Sequence, residues 1–114
     1  MVDNYSAWSI KVEDFFKSKN VEEKIKFLIG FAVLAPSSHN SQPWKFEIEK
    51  SSIILSANGS RVLPVSDKNF RQLFISLGCA LENILIAADY YNVQTKVEYL
   101  TPKDSGYCIK INFD

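Results

Sequence analysis

A chain of 114 residues is at most one domain. Folding at this length buries well over half of the extended chain's surface, and eight Phe, five Tyr and two Trp supply the bulk for a core. Thirteen basic residues balance thirteen acidic ones along the whole chain, which leaves no basic field to displace counterions and argues against nucleic acid as a partner. The longest apolar run, Phe31 to Pro36, is short and closely follows Lys26, so no membrane span is expected. The start carries Asp3 and no apolar stretch of the kind that directs secretion. Cys79 and Cys108 lack metal spacing, and two cysteines make a poor disulfide framework. A reduced, cytoplasmic setting follows as the expectation.

Trp8, Val12, Phe15 and Phe16 recur at helical spacing and predict a first amphipathic helix. Asn20 predicts the cap of a second, with Glu23 placed to reach back to the cap N–H. Val21, Ile25, Leu28, Ile29 and Ala32 form its apolar stripe, and Pro36 bounds it. Trp44 to Glu49 alternates strictly and reads as a strand with one buried face; Ser51-Ser52 permits a turn, and Ile53 to Ser56 returns antiparallel. Asn58-Gly59 marks a further turn.

Ser66 or Asp67 can cap a long helix from about residue 68 to 92, whose stripe includes Phe70, Leu77, Leu81 and Ile84. That stripe is wide and contains Gly78, Ala80 and Ala87, so two surfaces are expected to approach it, Gly78 permitting close packing. Lys96 to Leu100 and Tyr107 to Phe113 predict two last strands, separated by Thr101-Pro102 and Gly106. The order is ααββαββ, an α+β fold in which an antiparallel sheet is packed by the long central helix. Ile109, Ile111 and Phe113 alternate as a core strand just before Asp114, and domains seldom end on an uncovered apolar strand. Residues 1–114 are therefore expected to be a single but truncated domain, and the wide helix face with an open strand edge predicts a homodimer.

The chemistry concentrates in Ala35 to Trp44, which joins the second helix to the first strand. It is dense in short hydrogen-bonding side chains and pinned by Pro36 and Pro43. Serine hydroxyls and backbone N–H groups suit a polyol or phosphate, and Asn or Gln presents donor and acceptor together to a heterocycle edge. On composition alone, such a loop is more often a plain connection.

The string Pro36-Ser37-Ser38-His39-Asn40-Ser41-Gln42-Pro43-Trp44-Lys45-Phe46 resembles the P-S-S-x-N-x-Q-P-W-x-F signature of the FMN-dependent nitroreductase family. Asp67, Arg71 and the Ser76-to-Asn83 run, an S-x-G-x-A-x-x-N helix, resemble its Acg-like branch. The likeness covers roughly residues 21–100, the amino-terminal part of such a protein. It implies FMN contacts from Ser37, Ser38 and Asn40, often across a dimer interface, with Pro36 shaping the loop. Gln42 either contributes or only fixes the loop, and Trp44 and Phe46 are expected in the core. Gly78 is expected to allow close packing against a partner helix or a flavin ring.

Two departures stand out. No R-S-x-R-like segment for the FMN phosphate is present, and the family's later, glycine-containing and basic cofactor segments have no counterpart here. Arg71, in the first turn of the long helix where the dipole does not favour a cation, reads either as a surface residue or as a phosphate or dimer contact. Arg61 has a weaker claim.

Other chemistry finds little footing. His39 with Cys79 does not make a thiol nucleophile and base, because Cys79 falls within the apolar helix and reads as a small hydrophobe. Glu82 and Asp89 are too far apart for a carboxylate pair, and Glu47 and Glu49 share a solvated strand face. The resemblance implies an oxidoreductase in which NAD(P)H reduces FMN and the flavin reduces a nitroaromatic, quinone or similar small molecule, with no acid or base from the protein. The alternative is a non-catalytic remnant that dimerises or binds a ligand.

Overall fold

A computed structural model describes residues 8–61, 63, 65, 67, 69–100 and 108–114. The elements in chain order are α1 (Val12–Phe16), α2 (Val21–Ala32), β1 (Trp44–Glu49), β2 (Ser52–Ala57), α3 (Arg71–Tyr90), β3 (Thr95–Leu100) and β4 (Cys108–Phe113). The order ααββαββ is the one anticipated. Ser66, Tyr107 and the turn at Thr101-Pro102 and Gly106 lie outside the described residues.

β1 and β2 form a hairpin in which Glu49 faces Ser52, with Lys50 in the left-handed region at φ 52°. β4 lies between β2 and β3 and pairs antiparallel with both, giving the order β1-β2-β4-β3. β2 and β3 therefore run the same way, with α3 as the connection between them: a split βαβ unit around β4. Such a crossover demands a helix that lies back on the sheet. Ile111 sits at the centre of this arrangement, opposite Ile53 on one side and Val97 on the other.

The core lies between that sheet and the two longer helices. Ile53, Leu55 and Ile111 from the sheet meet Leu77, Ala80, Ile84 and Ala88 of α3, and all are buried. α2 adds Ile25, Leu28 and Ala32 of its predicted stripe, whereas Ile29 is half-buried and Val21 exposed. Each fully buried Ile or Leu contributes about 1.5–3 kcal/mol relative to exposure. Small residues at 80, 87 and 88 let α2 and the sheet both approach α3, and Asn83 Nδ2 fastens the helix pair by donating to the Phe31 carbonyl at 2.9 Å. α3 is long and apolar enough to cross a membrane by length and composition, yet its buried face is occupied by the sheet and α2. That makes it a core helix.

Two local expectations need correction. The first helix has no apolar face in the core: only Phe15 is buried, whereas Trp8, Val12 and Phe16 are exposed. α1 is five residues long, barely more than one turn, so it can offer a single side chain to its neighbours. Phe15 uses that position to enter an aromatic cluster with Phe27 and Tyr91, ring centroids 5.6 and 4.5 Å away. Burial, and then the neighbouring Tyr90, pushes the Tyr91 phenol above its usual range, as suits a ring among aromatics.

The second correction concerns the α2 cap. Asn20 Oδ1 accepts from the Glu23 N–H at 2.9 Å as expected, but the Glu23 carboxylate reaches the Lys19 N–H, one residue before the cap. Gly78, expected to allow packing against a partner helix or a flavin ring, has no atom of the described residues outside its own helical surroundings within 4 Å of where its Cβ would be. Gly78→Ala should therefore raise stability by roughly 0.5–1 kcal/mol, the helix-propensity gain alone, measured by urea unfolding.

Candidate functional site

α2 ends at Ala32, and its exit tightens through bonds from the Leu34 N–H to the Phe31 carbonyl and from the Ala35 N–H to the Ala32 carbonyl. Pro36 then forbids a further helical turn, and the chain enters a compact loop. Within it, the Asn40 N–H donates to the Ser37 carbonyl and the Ser41 N–H to the Ser38 carbonyl, both at 3.0 Å. The Ser37 hydroxyl accepts from the Gln42 N–H at 3.0 Å. These bonds hold His39, Asn40 and Gln42 at φ 51°, 52° and 49°, three left-handed residues in four positions without a glycine. Each such residue costs roughly 1–2 kcal/mol over the ordinary conformation. Strain of this density persists only where surrounding bonds over-determine it, and it gathers at functional sites.

The surrounding bonds come from the start of α3. Ser38 donates its hydroxyl proton to Gln72 Oε1, and the Ser38 N–H donates to Ser76 Oγ at 3.4 Å. Ser76 Oγ in turn donates to the Gln72 carbonyl at 2.9 Å. From the far end of the loop, the buried Trp44 indole N–H donates to the Ser76 carbonyl at 2.8 Å. Trp44 is thus a core residue, as expected, and Phe46 and Ile48 follow it on the same half-buried face. The Pro43 carbonyl accepts from the Asn58 N–H at 2.7 Å, and Arg61 Nη1 donates to the Ser41 carbonyl at 3.3 Å. Arg61 is therefore a strut of the loop.

The end of α3 that holds the loop is itself held by Asp67. The residue at the formal cap, Phe70, has φ 57° and offers no side-chain bond. The buried Asp67 carboxylate replaces it, Oδ1 accepting from the Gln72 N–H at 3.1 Å and Oδ2 from the Leu73 N–H at 2.9 Å. A carboxylate across two free N–H groups at a helix start satisfies both and complements the dipole. The sequence reading of Asp67 as the cap holds, though the helix begins at Arg71.

The predicted site residues occupy different environments. Ser37 and Ser38 are half-buried and engaged, whereas Pro36, Asn40, Gln42 and Arg71 are exposed. Among the described residues the Asn40 and Gln42 side chains bond to each other, Gln42 Nε2 donating to Asn40 Oδ1 at 3.4 Å. Gln42 thus fixes the loop through its backbone and leaves its side chain at the surface. Arg71 makes no ion pair or side-chain hydrogen bond among the described residues and stands at the same end of α3 as Gln72. Gln72 had no role in the sequence reading, and Ser76 only a place in a motif; their i, i+4 spacing on one helix face was the available signal.

Between the loop and α3 the chain leaves only about 10 Å³, bordered by Ser38, Pro43, Arg61 and Asp67. That is room for one water at most, so a flat heterocycle fits only on the loop's outer side. There the exposed amides of Asn40 and Gln42 match the polar edge of a flavin in chemistry, while the described residues provide no apolar cover for its ring. The fit is to one side of such a group.

The family described as "Putative TM nitroreductase" matches residues 6–88, which include the whole loop and nearly all of α3. A "Putative NAD(P)H nitroreductase" of Mycobacterium tuberculosis is 34% identical over 83 residues, 72% of this chain and 24% of that protein. A second from the same organism, "Putative NAD(P)H nitroreductase acg", is 31% identical over 90 residues, 78% of this chain and 27% of its own length. The chain thus spans about a quarter of the length of these relatives. With well over half of its residues matched by the family, the loop and helix included, this chain belongs to the nitroreductase family.

Proposed function

We infer that this chain provides the loop side of an FMN site in an NAD(P)H-dependent oxidoreductase that reduces a nitroaromatic, a quinone or a similar small acceptor. The observation that carries the reading is the strained Ser37–Gln42 loop, made rigid by α3 and presenting two exposed amides outward. Bound FMN would supply the two-electron chemistry between NAD(P)H and acceptor. The chain's own part is to bind and orient it. Asn40 and Gln42 would meet the polar edge, the Ser38 oxygen would accept from the ligand, Pro36 and Ser37 would shape the loop, and Arg71 would take the phosphate. The apolar cover would come from a second copy or from segments outside the described residues. The relatives' names, which include NAD(P)H nitroreductase, support the donor and reaction type.

A non-catalytic ligand-binding or dimerising domain is the second reading, favoured by the absence, among the described residues, of a ring-sized space between the loop and α3. Titrating FMN into the purified chain, followed by flavin fluorescence, and assaying NAD(P)H-dependent nitroaromatic reduction separates the two. Saturable binding with turnover supports the enzyme, and binding without turnover supports the second reading. No saturable change up to ~1 mM FMN, the weak end of specific affinity, overturns both as flavin proteins.

Asn40→Ala provides a finer test. It should weaken FMN binding by roughly 1–3 kcal/mol, the cost of an unpaired partner in the complex, and leave the flavin-free melting temperature nearly unchanged. A large loss of stability with binding intact would show a structural loop instead.

A further inference from the structure

The geometry points to Gln72 as a positioning residue for the Ser38 loop, one that also fixes Ser38 as a hydrogen-bond acceptor toward the ligand. The inference rests on the flavin reading above and adds a residue and a polarity to it.

A serine hydroxyl has one proton and two lone pairs. In Ser38 that proton is given to Gln72 Oε1, and the Ser38 backbone N–H is given to Ser76 Oγ. The Ser38 oxygen therefore has only lone pairs left for whatever lies on the loop's outer side. A ligand must bring an N–H or O–H to it, as an imide edge or a polyol does. Gln72 can impose this because its own place is fixed: the Asp67 carboxylate holds its N–H, and Ser76 Oγ holds its carbonyl. These bonds join Ser38 to residues 34 and 38 positions further along the chain. The loop's left-handed residues follow directly after Ser38, so loss of that anchor frees His39, Asn40 and Gln42 to relax.

The test uses the whole chain with Gln72→Met, which keeps length and helix propensity but removes the acceptor, and Gln72→Glu, which keeps an acceptor. Gln72 is exposed, so both variants should fold with unfolding midpoints close to the parent. Amide hydrogen exchange without flavin, and FMN titration, are read on each. In Gln72→Met the exchange of the Asn40, Ser41 and Gln42 amides should quicken and FMN affinity should fall about tenfold, equivalent to about 1.4 kcal/mol. Gln72→Glu should restore both most of the way, which a role confined to packing would not produce.

Parent-like exchange and affinity in Gln72→Met would overturn the proposal, as would equal losses in the two variants. Should the parent itself fail to bind FMN, the flavin reading falls, and the exchange data still decide the anchor: quickened loop amides in Gln72→Met sustain it, and unchanged ones remove it.

Discussion

Replacing Asp67 by alanine should cost roughly 2–4 kcal/mol of folding stability, because two charge-assisted hydrogen bonds to a buried carboxylate disappear together. An ordinary cap typically satisfies one N–H and is worth about 1 kcal/mol. Asp67 accepts from two, the Gln72 and Leu73 N–H groups, and is 7% exposed, so water cannot readily take its place. Among the described residues no other side chain caps this helix start. Phe70 at the formal cap is held left-handed at φ 57° without a capping bond, a conformation that Asp67 helps to impose by accepting from the following turn. Asp67→Asn should recover part of the loss, since its amide oxygen can still accept one bond without the charge. Urea unfolding of the three proteins measures this, and a change below ~1 kcal/mol in Asp67→Ala, the range of a single exposed cap, would show that the helix start is satisfied by solvent. The loss should also reach the loop, because Gln72 carries both the Asp67 bond and the Ser38 bond.

That coupling separates what was legible in the sequence from what was not. Strand periodicity placed β1 well because Lys45, Glu47 and Glu49 alternate with Trp44, Phe46 and Ile48, and only one face of that hairpin is covered. The Asn20 cap and the α2 stripe were legible because their determinants lie within one helix. The position of β4 between β2 and β3 was not, since strand order depends on pairings more than fifty residues apart, such as Ile53 with Ile111. α1 misled because its periodic apolar positions exceed what a five-residue helix can bury.

At the site, the string Pro36 to Phe46 marked a loop that the structure shows to be strained and held from α3. The side chains that hold it remained hidden because Gln72 and Ser76 reach it from another element. Nothing in the loop's own composition announced three left-handed residues either, since Asn40 and His39 are of types enriched in that conformation but Gln42 is not. The strain is imposed from α3 and is visible only in three dimensions.

The face of α3 that the fold covers can be distinguished from the one it leaves open by two isoleucines two residues apart. Ile84 is fully buried between sheet and α2, whereas Ile86 is 60% exposed. Ile84→Ala should cost about 2–5 kcal/mol, the transfer term plus that of the cavity left behind, because Ile53, Leu55 and Ile111 are held in the sheet and cannot all close the gap. Ile86→Ala should change the isolated chain by no more than ~0.5 kcal/mol, as at an ordinary surface position. Ile86 nevertheless borders an apolar hollow of about 500 Å³ between the helices, with Leu34, Phe31 and Tyr90 among its walls. If the homodimer anticipated from the sequence uses that hollow, Ile86→Ala gains a second, concentration-dependent effect. Its unfolding midpoint would then fall below the parent's at high protein concentration and match it on dilution, because association stabilises only the folded state. Sedimentation and urea unfolding at two concentrations distinguish these outcomes. Midpoints independent of concentration in both proteins, with a compact monomer throughout, would exclude a dimer through this face, and a loss below ~1 kcal/mol in Ile84→Ala, under the range for a buried truncation, would contradict the packing of α3 on the sheet.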